Sequence, residues 1–152
     1  PSKASQDFIA TEKIFEIKTR TQQSTSIRIS NDNQVSINMY LVVIEVSKSS
    51  ELSNLSINLT KLIYSIKKKI VSPETHLIFN EKLLELGIFP IKEAQVYDKF
   101  SYDVKSISYF EIGSDFPIID HLNVPKAVVR YAYDLSLNSI VSLKTSEEEV
   151  WN

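Results

Sequence analysis

The amino-terminal segment of the chain alternates its side chains with a period of two. Over residues 14–19, Phe15 and Ile17 alternate with Glu16 and Lys18. This period predicts a β-strand. Because successive side chains of a strand point to opposite faces, we expect Phe15 and Ile17 to be buried together. Glu16 and Lys18 are then expected to share the other face.

Further strands are predicted on both sides of this segment. A hairpin of two strands is expected over Phe8–Thr19, and a short strand over Ser26–Ser30 is expected to point Arg28 outward. The most apolar run, Met39–Val46, is rich in β-branched residues and is bounded by polar clusters. This composition predicts a central strand that has neighbours on both edges and is buried on both faces.

Helical periodicity appears only after these strands. Residues 50–71 place leucine and isoleucine at helical spacing, which predicts an amphipathic helix capped by Ser49 or Ser50. Lys67–Lys69 would close this helix and suit the negative end of its dipole, with a DNA contact as the competing interpretation. A second helix is predicted from Pro73 to Gly87, because proline favours the first helical position and glycine the position after the last.

The carboxyl-terminal half predicts three strands, followed by a polar tail. The strands are expected over Phe100–Lys105, Ile107–Ile112 and Val128–Leu135. The resulting order β-β-β-β-α-α-β-β-β predicts an α+β fold with α/β-like features, in which a mixed β-sheet carries two central helices on one face. A chain of 152 residues is expected to form a single domain.

Composition excludes several function classes. The chain has only 2 glycines, so a glycine-rich phosphate loop is excluded. It has no cysteine, which excludes disulfides and thiolate metal sites, and its 2 histidines argue against a zinc centre. We find no secretory signal and no apolar run near about 18 residues. The sequence therefore predicts a soluble, cytoplasmic protein.

The charge is distributed unevenly along the chain. The net charge is −2, but residues 1–30 carry five basic side chains against three acidic ones. A basic end on an acidic body suits local contacts with phosphate groups. An uneven distribution by chance is the competing interpretation.

Two carboxylates are candidates for a metal site. If Asp7 lies on the hairpin strand beside Glu16, the two carboxylates converge next to Lys18. Mg²⁺ prefers oxygen ligands and keeps several waters, so such a pair suits it. The metal would polarise a phosphate and activate a water, which Lys18 would hold. A solvent-facing strand with a surface Glu–Lys pair is the competing interpretation.

The spacing of these residues resembles that of the PD-(D/E)XK nuclease superfamily. Asp7 is followed nine positions later by the Glu16-x-Lys18 pair, although Gln6 stands where a proline is usual. The resemblance implies a restriction-endonuclease-like core. It also implies a metal-dependent DNA endonuclease that hydrolyses phosphodiester bonds with Mg²⁺ or Mn²⁺.

Two downstream segments extend the resemblance. Gln34 follows the lysine, and Asp115–Ile118 and Val124–Leu135 form an FP…P…V.Y..DL pattern. This pattern resembles the end of a bacterial family called PD-(D/E)XK motif proteins, over roughly residues 5–138. That family implies a restriction or phage-defence setting.

The resemblance assigns a role to each candidate residue. Asp7 and Glu16, with the Ile17 carbonyl, would bind the metal. Lys18 would position or activate the water, and Gln34 would support the site.

The resemblance also implies partners. Arg20 and Arg28 would contact DNA phosphates. A cytosine methyltransferase and ATPases are expected as defence-system partners, a homodimer is a further expected arrangement, and no membrane is involved. Superfamily cores begin with a helix and a strand before the first aspartate, whereas six residues precede Asp7. We therefore expect a fragment of a longer chain, or a subunit whose partner supplies that part, unless Asp7 is not catalytic.

Two function classes stay open at this point. The first is the metal-dependent endonuclease. The second is a non-catalytic, nuclease-like domain that serves binding or assembly in a DNA-processing or defence complex. They differ in whether the carboxyl oxygens of Asp7 and Glu16 come close enough to share one metal ion.

Overall fold

The strands and helices follow the predicted order closely. A computed structural model describes residues 7–10, 12–31, 34–49, 56–88, 91–120 and 122–152. Its strands are β1 (Phe8–Ala10), β2 (Lys13–Thr21), β3 (Ser26–Ile29), β4 (Met39–Ser49), β5 (Ser101–Ile112), β6 (Tyr133–Ser136) and β7 (Lys144–Thr145). Its α-helices are α1 (Leu59–Lys69), α2 (Pro73–Glu85) and α3 (Glu147–Trp151), and 3₁₀ helices cover Ile91–Tyr97 and Val141–Leu143.

The sheet is mixed, which confirms the predicted α+β class and is consistent with a restriction-endonuclease-like fold. Its strand order is β1-β2-β4-β5-β7. β1 pairs antiparallel with β2, and β2 pairs parallel with β4. The predicted central strand Met39–Val46 is confirmed, because β4 lies between β2 and β5. Leu41 and Val43 belong to one core cluster and Val42 to another, so β4 is buried on both faces.

The chain divides into two compact units. The first consists of Pro1–Val46 and Lys105–Asn152, and the second is Ser47–Val104. Within the second unit, α1, α2 and the first 3₁₀ helix contribute Ile63, Leu83 and Ala94 to a small apolar core.

In the first unit, the two faces of β2 pack against different layers. β3 and β6 form a separate two-stranded antiparallel sheet, and their apolar side chains join the larger core cluster together with Ile14 of β2. On the opposite face, Phe15 packs with Val150 of α3, and its ring stacks on Trp151 at a centroid distance of 5.1 Å. The face that carries Ile14 is therefore covered by a second sheet, whereas the opposite face is covered by the short helix α3.

The first helix begins later than the sequence predicts. Ser49 lies in β4, and residues 50–55 are outside the described part of the chain. The helix begins at Leu59 because the Asn58 side chain accepts a hydrogen bond from the Lys61 N–H at 2.8 Å and so caps it. Just before this cap, Ile57 forms an extended bridge with a residue of β5.

The predicted carboxyl-terminal strands are wrong in detail. The two strands expected before residue 113 form one continuous strand, β5. The strand expected over Val128–Leu135 is shorter, because β6 covers only Tyr133–Ser136. Its partner β3 has four residues, and these are fully used by the register with β6. Val129 consequently remains almost completely exposed.

Candidate metal centre and basic cleft

Glu16 is a buried carboxylate with an incomplete set of partners. It lies in the middle of β2 on the same face as Ile14, and only 1% of the residue is exposed. Its Oε1 atom lies 2.8 Å from Lys18 Nζ, whereas Oε2 is buried without a hydrogen-bond partner among the described residues. Burial raises the pKa of Glu16; the Lys18 ammonium opposes this rise and the charge of Asp7 adds to it.

Asp7 directly precedes β1, and its side chain reaches the backbone of β2. Its Oδ2 atom accepts a hydrogen bond from the Ile17 N–H at 2.9 Å. Because the N–H and C=O of a strand residue point to the same side, the Ile17 carbonyl faces the same edge. Asp7 therefore lies beside the backbone of Ile17, and its charge acts on Glu16, the residue before Ile17.

The prediction that Ile17 is buried with Phe15 is wrong. Phe15 is buried, but Ile17 is 39% exposed. The apolar cluster on this face is built around Phe15, Val42, Tyr109 and Val150 and does not include Ile17. The short helix α3 covers Phe15 and leaves the next position of the same face open.

Lys18 is held by two acceptors. Besides Glu16, its Nζ atom donates a hydrogen bond to Gln34 Oε1 at 3.0 Å. The same oxygen of Gln34 accepts the Ser30 N–H at 2.7 Å. Ser30, the residue that follows β3, thus holds Gln34, and Gln34 in turn holds the lysine.

The oxygen atoms at this point fit a hard divalent cation. Glu16 Oε1 already faces the Lys18 ammonium, but the buried Oε2, which has no partner among the described residues, and the nearby charge of Asp7 leave room for a further positive charge. The Ile17 carbonyl can add a third oxygen. No group of three or more His, Cys, Asp or Glu side chains suited to a metal occurs in the part of the chain that the structure describes. The remaining coordination positions would therefore belong to water, as Mg²⁺ prefers.

Next to this centre lies an open cleft of about 570 Å³, which we call the basic cleft. Lys18 lines one end of it, so the metal centre and the cleft share that residue. Several hydroxyl side chains line the cleft, and these can donate hydrogen bonds to phosphate oxygens. The lining residues are Lys18, Thr19, Arg20, Thr21, Ser24, Ser26, Ile27, Arg28, Ser30 and Asp134.

Both predicted DNA-contacting arginines line the basic cleft, and each is paired with an acid. Arg20 forms an ion pair with Glu45 and also donates to the Ser24 carbonyl, and the side chains of this pair are only 22% and 16% exposed. Arg28 forms a 3.3 Å ion pair with Asp134, in which the side chains are 61% and 56% exposed.

Sequence reasoning missed Glu45 and Asp134. Each is the Cα partner of its arginine in a strand pair, Arg20 with Glu45 in β2–β4 and Arg28 with Asp134 in β3–β6. The available signal was a lone acid within each predicted strand. That signal becomes informative only once the register is known.

Comparison with known proteins gives one result. The family model DUF4420, described as a candidate PD-(D/E)XK family member, matches residues 1–138. The chain belongs to the DUF4420 family. This match covers every residue of the metal centre and the basic cleft, and it supports the resemblance to PD-(D/E)XK nucleases. No curated protein and no solved structure matches the chain significantly.

Among the described residues of this DUF4420 member, no helix is both long enough and apolar enough to cross a bilayer.

Proposed function

We propose that this DUF4420 member is a metal-dependent DNA endonuclease that hydrolyses phosphodiester bonds. The observation that carries the proposal is the buried Glu16 carboxylate, which feels the charge of Asp7 and has one oxygen without a partner among the described residues. Lys18 pairs with the other oxygen, but a buried carboxylate oxygen that keeps no partner is costly to a fold. Such a cost is typical of sites that bind a cation or a reacting group.

Each residue of the centre has a proposed role. Asp7 and Glu16 bind the cation, and the Ile17 carbonyl completes the protein's share of the ligands. A bound Mg²⁺ or Mn²⁺ would supply Lewis acidity and lower the pKa of a coordinated water. Lys18 holds the attacking water or a phosphate oxygen through its ammonium group. Gln34 keeps that ammonium in place through its 3.0 Å hydrogen bond.

The basic cleft is the proposed path of the DNA backbone. Lys18 belongs to both the centre and the cleft, so a strand in the cleft passes the proposed metal. Arg28 is exposed and can contact phosphate directly. Arg20 is held by Glu45 and Ser24, so it contributes a fixed charge at the wall of the cleft.

We further propose that the activity serves restriction or phage defence in the cytoplasm of a bacterium. Support for this setting is the resemblance of residues 115–135 to the bacterial PD-(D/E)XK motif proteins. A methyltransferase or an ATPase is the partner expected in such a setting.

Cleavage of supercoiled plasmid DNA in Mg²⁺ or Mn²⁺ tests the nuclease proposal. We expect Glu16→Gln and Lys18→Met each to reduce the cleavage rate by roughly 100-fold or more. Glu85→Gln is the matched control, because it removes one carboxylate from an exposed ion pair with Lys82 in the second unit. Cleavage by Glu16→Gln at the wild-type rate would overturn the proposal.

One observation favours a second function, that of a non-catalytic binding or assembly domain. Lys18 already occupies Glu16 Oε1 at 2.8 Å, so the pair can serve as a structural ion pair within a nuclease-like sheet. This reading predicts that wild-type protein binds DNA through the basic cleft and neither binds Mn²⁺ nor cuts. The plasmid assay together with a Mn²⁺ titration separates the two functions.

A further inference from the structure

The two ion pairs of the basic cleft differ in how firmly they hold their arginines. Arg20 is fixed by Glu45 and by the Ser24 carbonyl in a partly buried position. Arg28 reaches both oxygens of Asp134 through a single guanidinium nitrogen, at 3.3 Å each, and the pair is largely exposed. An exposed pair with long contacts contributes little to stability, so Asp134 can be displaced at low cost.

Asp134 is also the one acidic side chain among the described residues that line the cleft. Arg28 and Asp134 are directly opposite each other in the β3–β6 register, so the small sheet keeps the carboxylate over the guanidinium. A phosphate group that approached Arg28 would meet the negative charge of Asp134 at short range. It would offer Arg28 a better contact than the present one, because a guanidinium can bind phosphate with two parallel hydrogen bonds whereas only one of its nitrogens reaches Asp134.

We propose that Asp134 sets the affinity of the basic cleft for phosphodiester chains by competing with phosphate for Arg28. The carboxylate acts as an internal substitute for the ligand and keeps binding of polyanions weak. The inference rests on the proposed function only in taking the phosphodiester chain to be DNA. The competition itself depends on the Arg28–Asp134 geometry alone.

The test compares two carboxylate-to-amide substitutions in exposed ion pairs. Asp134→Asn removes the competing charge from the cleft. Glu85→Gln removes an equal charge from the Lys82–Glu85 pair, whose side chains are 65% exposed, and so reports the effect of net charge alone. Both pairs are exposed, so both variants should keep a melting temperature close to that of wild type.

Binding of a fluorescent duplex DNA is measured without divalent metal at several salt concentrations. We expect Asp134→Asn to bind roughly three- to tenfold more tightly than wild type, with a steeper dependence of affinity on salt. Glu85→Gln should change the affinity less than about twofold. In an Arg28→Gln background, the gain from Asp134→Asn should be clearly smaller than in wild type, because the contested guanidinium is gone and only the direct repulsion between Asp134 and phosphate is removed.

Inorganic pyrophosphate provides a second probe that does not require DNA to be the ligand. We expect it to raise the melting temperature of Asp134→Asn more than those of wild type and Glu85→Gln. If only pyrophosphate distinguishes the variants and DNA does not bind, the competition stands and the endonuclease proposal fails. If Asp134→Asn behaves like Glu85→Gln with both probes, the inference is overturned, whatever the plasmid assay shows.

Discussion

The metal centre and the basic cleft share strand β2, but their charged side chains differ in burial and in how completely they are paired. At the centre, the Glu16 carboxylate is buried: Lys18 pairs with one of its oxygens, and the other has no partner in the part of the chain that the structure describes. In the cleft, Arg20 and Arg28 each have an acidic partner, and the Arg28 pair is exposed to solvent. A buried carboxylate oxygen without a partner destabilises the fold, whereas an exposed ion pair changes the free energy of unfolding very little.

This difference separates a site built for chemistry from a surface built for contact. At Glu16, a bound metal ion would supply the partner that the buried Oε2 atom lacks among the described residues. In the cleft, Glu45 neutralises Arg20 in a partly buried pair and Asp134 neutralises Arg28 in an exposed one, so these charges destabilise the fold little.

Removing the lysine should have the largest effect on stability. In metal-free protein at pH 7, we expect Lys18→Met to lower the free energy of unfolding by about 2–3 kcal/mol, because it leaves the Glu16 carboxylate buried without a counter-charge. Urea denaturation measures this loss. The double variant Glu16→Gln/Lys18→Met should recover most of it, and equal losses in the single and double variants would contradict the account.

The pH dependence of stability should reveal the same carboxylate. Burial raises the pKa of Glu16 above its ordinary value of 4.5, so the folded protein keeps this proton to higher pH than the unfolded chain. The resulting stabilisation is fully present below pH 4.5 and is lost as the pH rises through the raised pKa. Metal-free wild type should therefore lose stability relative to Glu16→Gln as the pH increases.

Urea titrations of both proteins from low to neutral pH measure this difference. A constant difference between wild type and Glu16→Gln over this range would show that the carboxylate is solvated, contrary to the structure.

The arginines should give smaller effects that separate fixed from exchangeable charge. Arg20→Gln should cost about 1–2 kcal/mol of stability, because Glu45 is left partly buried without its partner. Arg28→Gln should cost less than about 1 kcal/mol, since its pair is exposed. Urea denaturation of both variants ranks the two losses, and the reverse order would contradict the contrast.

In DNA binding, we expect Arg28→Gln to reduce the slope of log affinity against log salt by about one, as for the loss of one phosphate contact. A slope equal to that of wild type would exclude a direct contact between Arg28 and phosphate.

The two faces of β2 show which structural features the sequence could predict and which it could not. Alternation was sufficient to predict the strand, the shared face of Glu16 and Lys18, and the burial of Phe15. Alternation could not predict how deeply each face would be buried. That depends on β3, β6 and α3, which come from distant parts of the chain, so Glu16 is more buried and Ile17 more exposed than expected.

The partners of the charged residues were beyond prediction for a related reason. Glu45 and Asp134 meet their arginines through strand register, which is set by tertiary packing. Local signals did succeed where the interaction is local. Ser72 caps α2, Pro73 begins it, and Gly87 follows it with a φ of 71° that favours glycine.

Calorimetric titration with Mn²⁺ measures whether the protein binds a metal ion and whether Glu16 is one of its ligands. Wild type and Glu85→Gln should bind one Mn²⁺ ion with equal affinity. Lys18→Met should bind at least as tightly, because the ammonium no longer occupies Glu16 Oε1. Glu16→Gln should bind at least roughly tenfold more weakly, since it loses a charged oxygen ligand. Binding of Mn²⁺ by Glu16→Gln with wild-type affinity would contradict the account.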